Sequence, residues 1–411
     1  MKKLLWLGCF SYLLIGVAHI IGGSILEQLI EHYGLSYKDG GQWIMNQFLG
    51  FLVGVLFTPA ISARFGKRTT VLFAIGMLTL SEAAYSLLLP WGWMLAVAPL
   101  AGLGFGMTEA IVGAMIIELH KEGTAAAMSR LETFFGIGAL VIPLTAAYLI
   151  QQNIWQLSFP ILAAMSGIIF VLWLTLSFGK LDDELSAQRS LEKARERKQN
   201  TAEHGKAIVW GYSKRMLPFL ALAALFFMFY VGMEMSFSNY LPAILIEHTQ
   251  ASEVAAASTL SVFWGTVAIG RIFAGILADR MGYTKYLLIA TAASAIVFCL
   301  MTLFDTYLLM LVFIALSGLF FAGLFGIGLV YANSLLPGTT ERTTSILVAC
   351  GGIGGAVFPR ITGWFMDQYT ISATLWYLAA LVIILLSLLI IWIILGVKQA
   401  RGLASKPVSV S

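Results

Sequence analysis

Displaced by 216 residues, the chain falls on itself without a gap. Gly54, Arg64 and Gly66 meet Gly270, Arg280 and Gly282, while Gly136, Gly138 and Pro143 meet Gly352, Gly354 and Pro359. Gly102 falls on Gly318 and Gly16 on Gly232. Coincidences at one offset, on residues that set backbone shape, mark a duplicated architecture. The duplicated unit is almost wholly apolar. The chain is 59% hydrophobic and 11% charged, with a mean hydropathy of +0.87, whereas a soluble domain carries about 25% charged residues. The repeat is therefore one of membrane helices.

The 411 residues divide into twelve apolar spans, at 4–31, 41–63, 69–90, 93–119, 124–150, 154–178, 215–246, 253–278, 284–303, 306–335, 342–365 and 371–397. Each is long enough to cross a hydrocarbon core, which needs about 20 residues. Met1-Lys2-Lys3 followed by apolar residues mimics a signal peptide. The apolar stretch continues to about Ile30 without a small-x-small cleavage site, so it reads as the first transmembrane helix. The predicted organisation is a six-helix bundle over 1–178, a linker over 179–214, a second bundle over 215–397 and a tail over 398–411.

Basic residues fall on one side. The termini and even-numbered loops hold Lys2, Lys3, Arg64, Lys67, Arg68, Lys121, the cluster from Lys180 to Arg215, Arg280, Lys285, Arg342, Lys398, Arg401 and Lys406, and the opposite loops only Lys38. The positive-inside rule puts both termini in the cytoplasm. From Lys180 to Arg215 nine basic and six acidic residues mix, which predicts a solvated or surface-lying helix rather than a nucleic-acid patch.

The second span ends in SARFGKRTT and the eighth in LADRMGYTK. Both resemble the signature loop of the major facilitator superfamily, in which a glycine makes the turn and an acid and an arginine bond the neighbouring helix end. The second copy keeps Asp279-Arg280-x-Gly282, but the first has Ala63 in place of the acid and retains only Arg64. GLGFGMTEAIVG, MSRLETFFGIGAL, FYVGMEMSFSNYLPAILIE and SVFWGTVAIGRIFAGILADR are similar to stretches of the fucose–galactose–glucose:proton symporter family, and most of all to its Bacillus-type glucose/mannose permeases. The resemblance implies twelve helices, proton-coupled monosaccharide uptake by alternating access, and no cofactor beyond the proton gradient.

An ionisable residue at the bilayer centre costs roughly 2.5–3.5 kcal/mol on insertion scales, so each needs a partner, a wet cavity or a function. Glu109 lies about fifteen residues into the fourth span, roughly 22 Å along the axis at 1.5 Å per residue. Its repeat partner is Phe325, so no packing symmetry demands an acid there. Burial favours the neutral form of a carboxylate, which suits a group that loads and unloads a proton; the alternative is a structural bond to a neighbouring helix. By resemblance, the family's proton-coupling glutamate maps onto Glu109. His19 is expected at similar depth, where the two could meet, and the Bacillus-type permeases share it. Otherwise it is a satisfied core histidine. The fucose branch carries an acid where this chain has Gly23.

Glu234 and Asn239 lie in the seventh span ahead of Pro242, which can kink a helix. On a straight helix the two side chains point apart, so a break would help both face a cavity. A sugar also needs amides and an apolar platform, for which Gln47, Asn333 and Trp264 are candidates. Each amide can equally serve a helix–helix bond. Arg130 and Glu132, with Glu118, are expected to form an inner salt-bridge gate alongside Arg64, Asp279 and Arg280. Arg271 is expected to snorkel or to pair with Asp279. Arg360 is unexplained and would suit an anionic substrate.

No enzyme is indicated. The five histidines show no metal spacing, no nucleotide motif or GxSxG elbow is present, and Cys9, Cys299 and Cys350 lie singly in apolar runs. The expectation is a monomeric secondary transporter of a bacterial inner membrane, with a small molecule, protons and lipid as partners and neither metal nor nucleic acid. The alternative is a proton-driven exporter, which usually carries Gly-x3-Gly-Pro on helix five; here Gly136 and Gly138 stand apart from Pro143.

Overall fold

Two serines 216 residues apart start equivalent helices. Ser36 accepts a bond from the Asp39 amide within a capping box, and Ser252 accepts one from the Ala255 amide. Such caps satisfy amides that a helix start leaves without partners. The computed structural model describes residues 2–119, 124–179, 181–186, 216–336 and 340–404. In the first half run α1 (Lys2–Ser24), α2 (Leu26–Tyr33), α3 (Tyr37–Phe65), α4 (Lys67–Ser86), α5 (Trp91–Leu119), α6 (Thr124–Gln151), α7 (Ser158–Thr175) and the short α8 (Leu181–Glu184). The second half holds α9 (Leu217–Thr249), α10 (Glu253–Met281), α11 (Tyr283–Met301), α12 (Tyr307–Phe321), α13 (Leu324–Ser334), α14 (Thr340–Gln368) and α15 (Ile371–Ala404). The expected linker helix beyond 186 and the tail beyond 404 lie outside the described residues.

Eleven spans among the described residues are long and apolar enough to cross a membrane. The remaining helix of the plan, α4, carries Lys67, Arg68 and Glu82. The first span bends at Ile25, where backbone dihedrals leave the helical region between α1 and α2. The tenth divides at Ala322–Gly323 into α12 and α13. The break anticipated at Pro242 does not occur: α9 runs unbroken over 33 residues. Proline 242 cannot bond the Ser238 carbonyl, and that oxygen instead faces Gly23 of α1, where no side chain intervenes.

Packing repeats with the sequence. In the first bundle α3 lies on α5, α1 on α6 and α4 on α7. In the second, α10 lies on α12, α9 on α14 and α11 on α15. Glycines let these backbones approach, as helices in lipid require. A Cβ at Gly54 would collide with Leu103 and one at Gly270 with Leu319; Gly102 meets the Gln47 carbonyl and Gly318 the Phe263 carbonyl. Every pair is offset by 216. Gly66 and Gly282 both turn with positive φ, 86° and 88°.

The bundles meet along α3–α14, α6–α10 and α1–α9, a pattern that the offset maps onto itself. On the outer side, Gln28 Nε2 donates to Glu253 Oε2 at 2.8 Å and the Tyr240 hydroxyl to the Tyr37 carbonyl at 2.9 Å. The amides of Tyr37 and Lys38 donate to Asp367 at 2.8 and 2.7 Å. Towards the inner side the cross-bundle ion pair is Arg271–Glu132, at 3.8 Å with both partners more than a third exposed or nearly so.

Candidate substrate and proton site

His19 projects from α1 into a cage of four phenylalanines. Phe105 of α5 lies 4.4 Å away between ring centroids, Phe51 and Phe48 of α3 at 5.6 and 5.8 Å, and Phe135 of α6 at 5.7 Å. Its Nδ1 is buried without a side-chain hydrogen-bond partner among the described residues, and the Ile15 carbonyl lies one turn earlier within its reach. Trp264 of α10 is 3% exposed, and its Nε1 is orphaned in the same way. Unpaired buried polar atoms are rare because each costs about 1–3 kcal/mol. Helix α6 relates the two residues: Phe135 touches His19, Gly136 faces Ala268, and the Ser261 hydroxyl donates to the Leu140 carbonyl at 2.7 Å. Trp264 lies one turn outward of Ala268, at about the depth of His19 on the opposite bundle.

Glu109 sits closer to the Leu119 end of α5 than to its Trp91 end. Helix α5 continues ten residues past it to Leu119, roughly 15 Å at 1.5 Å per residue. The Tyr12 hydroxyl reaches the Glu109 carbonyl oxygen, and Tyr12 precedes His19 by seven residues, about 10 Å along α1. It is Phe105, a turn outward of Glu109, that meets His19. The expected meeting of His19 and Glu109 is thus corrected: no hydrogen bond joins them among the described residues, because α1 and α5 run antiparallel and place them at different levels.

Arg271 of α10 does not pair with Asp279. It forms the 3.8 Å pair with Glu132 of α6, and its charge also acts on Glu109 and Glu234. One guanidinium thus serves acids from both bundles.

The other candidates fall elsewhere. Glu234 is 6% exposed and accepts from the Tyr230 hydroxyl at 2.8 Å inside the second bundle; that hydroxyl also reaches the Phe321 carbonyl. Asn239 donates to the Met235 carbonyl and packs on Gly22 and Gly23 at the α1–α9 crossing. Gln47 lies beside the Tyr85 hydroxyl, which takes the Trp43 Nε1 proton at 3.1 Å, within the first bundle. Asn333 is one residue from the inner end of α13 and donates to Thr344, far from mid-depth.

The inner gate is also redrawn. Glu118 pairs with Lys67, not Arg130. Arg64 lies exposed over the Phe65 ring. Arg130, Asp279 and Arg280 are exposed, and no ion pair holds Arg64, Arg130, Asp279 or Arg280 among the described residues. Sequence reasoning missed the four phenylalanines, although Phe48 and Phe51 share a helix face. It also missed Tyr230, one turn before Glu234, and the roles of Lys67 and Arg68. No cluster of metal-binding side chains occurs among the described residues.

Two pseudo-symmetric bundles joined by three helix pairs define a secondary-transporter architecture. The chain belongs to the Major Facilitator Superfamily, whose profile matches residues 8–246 and 222–409; it is a membrane transporter and not an enzyme. It is similar to the glucose/mannose transporter GlcP of Bacillus subtilis (strain 168), at 28% identity over 98% of this chain and 96% of that one. The inner membrane transport protein YdiN of Escherichia coli (strain K12) is 24% identical over 88% of this chain and 84% of that one. Among solved structures, a D-xylose-proton symporter matches with a TM-score of 0.77 at 13% identity, covering 94% of this chain and 97% of that one. A POT family transporter in complex with 5-aminolevulinic acid matches at 0.75 and 11% identity, covering 96% of each. Substrates so different on one fold mean that the fold does not select a substrate.

Proposed function

We propose that the chain carries a monosaccharide of the glucose or mannose kind into the cytoplasm of a bacterium, coupled to protons, as a monomer with both termini inside. The observation that carries this reading is the pair of buried ring nitrogens without side-chain partners, on His19 of one bundle and Trp264 of the other, each set among aromatic rings. A sugar offers hydroxyls to such nitrogens and C–H faces to the rings, and it needs no charged partner. The similarity to GlcP over nearly the whole length supports the same substrate class.

Glu109 is the proton carrier in this reading. It is an acid within the membrane span of α5, and Arg271 of the second bundle stands within electrostatic reach to balance the charge that Glu109 gains on losing its proton. The order is proton loading from outside, sugar binding between His19 and Trp264, rocking of one bundle against the other, and release inward. Arg360, which had suggested an anionic substrate, lies at the outer end of the α3–α14 seam with Val357, Ile361 and Trp364, on a groove open to the perimeter. The test is uptake of labelled glucose, mannose, galactose and fucose into proteoliposomes under an inward proton gradient. Accumulation of one sugar that collapses with a protonophore is expected. Absence of uptake for all four would transfer the assignment to export.

A further inference from the structure

The outer ends of α3 and α14 form a groove of about 280 Å³ lined by Lys38, Met45, Val357, Arg360, Ile361 and Trp364. It is open on the perimeter of the molecule: Val357, Ile361 and Trp364 are 42%, 37% and 38% exposed. These positions, with Arg360, fall on one stripe of α14 at helical spacing. The stripe differs from those facing α9 and α3, which Gly354 and Phe358 and then Gly355 and Gly363 supply. Gly41 abuts the Arg360 backbone, so Lys38, three residues earlier on α3, stands about one turn outward of Arg360 on the same groove.

Both cations lack acidic partners among the described residues. Arg360 Nη1 is buried without a hydrogen bond. The nearest carboxylate along α14, Asp367, is committed to the amides of Tyr37 and Lys38. Lys38 is the one Lys or Arg in the outer loops, so the positive charge of the outer side gathers at this apolar groove. Trp364, stacked edge-on with Phe365 and near Tyr369, marks the headgroup level where aromatic belts sit.

We propose that this groove binds a phospholipid, with Lys38 and Arg360 holding the phosphate and Val357, Ile361 and Met45 receiving the start of an acyl chain. Two neighbouring cations over an exposed apolar stripe match an amphipathic anion, and a bilayer supplies phospholipid at this level. The volume suits a headgroup and not a whole lipid, whose chains run down the exposed stripe. Because Lys38 belongs to one bundle and Arg360 to the other, the phosphate bridges them and favours the state in which their outer ends are together. The proposal is independent of the transported substrate.

The test uses the delipidated full-length protein in detergent, titrated with phosphatidylglycerol, with diacylglycerol of the same chains, and with inorganic phosphate. Thermal unfolding and lipid adducts in native mass spectrometry are followed. Phosphatidylglycerol is expected to raise the melting temperature and leave one retained adduct, with neither control doing so. Arg360→Gln should weaken its binding about tenfold and Lys38→Gln several-fold, as loss of a charge-assisted bond implies. Should Arg360→Gln fail to fold, Lys38→Gln, at an exposed position, decides. Unchanged retention in Lys38→Gln would overturn the proposal, as would diacylglycerol binding equally well. Stabilisation by inorganic phosphate matching that by the lipid would also overturn it, reducing the groove to an anion site.

Discussion

A histidine inside four phenylalanines is a side chain whose neighbouring side chains give its Nδ1 no partner. That permits a prediction separating function from stability. Replacing an orphaned polar group by an apolar one of similar size can be neutral or stabilising, so His19→Phe should melt no lower than the parent, yet lose most sugar uptake. Trp264→Phe keeps a ring and removes the Nε1 donor; loss of one neutral hydrogen bond, about 0.5–1.5 kcal/mol, should raise KM roughly two- to tenfold with little change in maximal rate. Glu109→Gln should abolish concentrative uptake while sparing sugar exchange down a gradient, and equal accumulation by mutant and parent in proteoliposomes would remove Glu109 from the proton path. The sequence singles out His19 and Trp264 because a polar ring in an apolar helix must be explained. It singles out Gln47, Glu234, Asn239 and Asn333 as well, but an amide or acid in a helix does not reveal which neighbour claims it. Tyr85, Tyr230, the α1–α9 crossing and Thr344 claim these four.

Among elements, the duplicated glycines and the positive-inside asymmetry predicted helix number, order and turns, since backbone shape depends on residues that are visible singly. The bend at Ile25 and the division at Gly323 were hidden, because neither is forced locally by proline. The turns at Gly66 and Gly282 allow a direct check. A side chain at positive φ costs roughly 1–2 kcal/mol, so Gly66→Ala and Gly282→Ala should each lower the melting temperature of the purified protein, and Gly92→Ala, where nothing lies nearby, should not. The first turn is further fixed by Arg68, which donates to the carbonyls of Trp173, Leu174 and Leu176 and pairs with Asp182 at 3.1 Å. Asp182 is held below the usual aspartate range, first by the Ser177 hydroxyl and then by the Phe178 amide and Arg68. A lowered folded value means that its contribution is complete above the ordinary aspartate value of 3.8 and disappears as pH falls through the folded value. Amide exchange over 177–186 should therefore accelerate on acidification below about pH 4, after correction for intrinsic rates, and much less so in Asp182→Asn, which has already lost that charge.

For the whole molecule, a change of access to the space between the bundles requires that the outer contacts of α3 with α14 and α9 open. The Arg271–Glu132 pair is long and exposed, and such pairs contribute about 0–1 kcal/mol, so this pair adds little to the hold between the bundles. The outer ends depend on backbone contact at Gly41, where a Cβ would lie 2.6 Å from the Tyr240 hydroxyl, 2.8 Å from Arg360 Cα and 2.9 Å from the Pro359 carbonyl. Two of those three neighbours are backbone atoms, and the Tyr240 hydroxyl is bonded to Tyr37, so none yields freely. Overpacking costs about 1–3 kcal/mol, and that cost is confined to the state in which α3 and α14 touch. Gly41→Val should therefore shift the population towards separated outer ends by roughly 5- to 150-fold. Pulsed electron-spin distances between labels on the outer ends of α3 and α14 should lengthen in Gly41→Val and stay unchanged in Gly92→Val. Identical distance distributions in the two variants would show that the outer contact is not what holds the bundles in this arrangement.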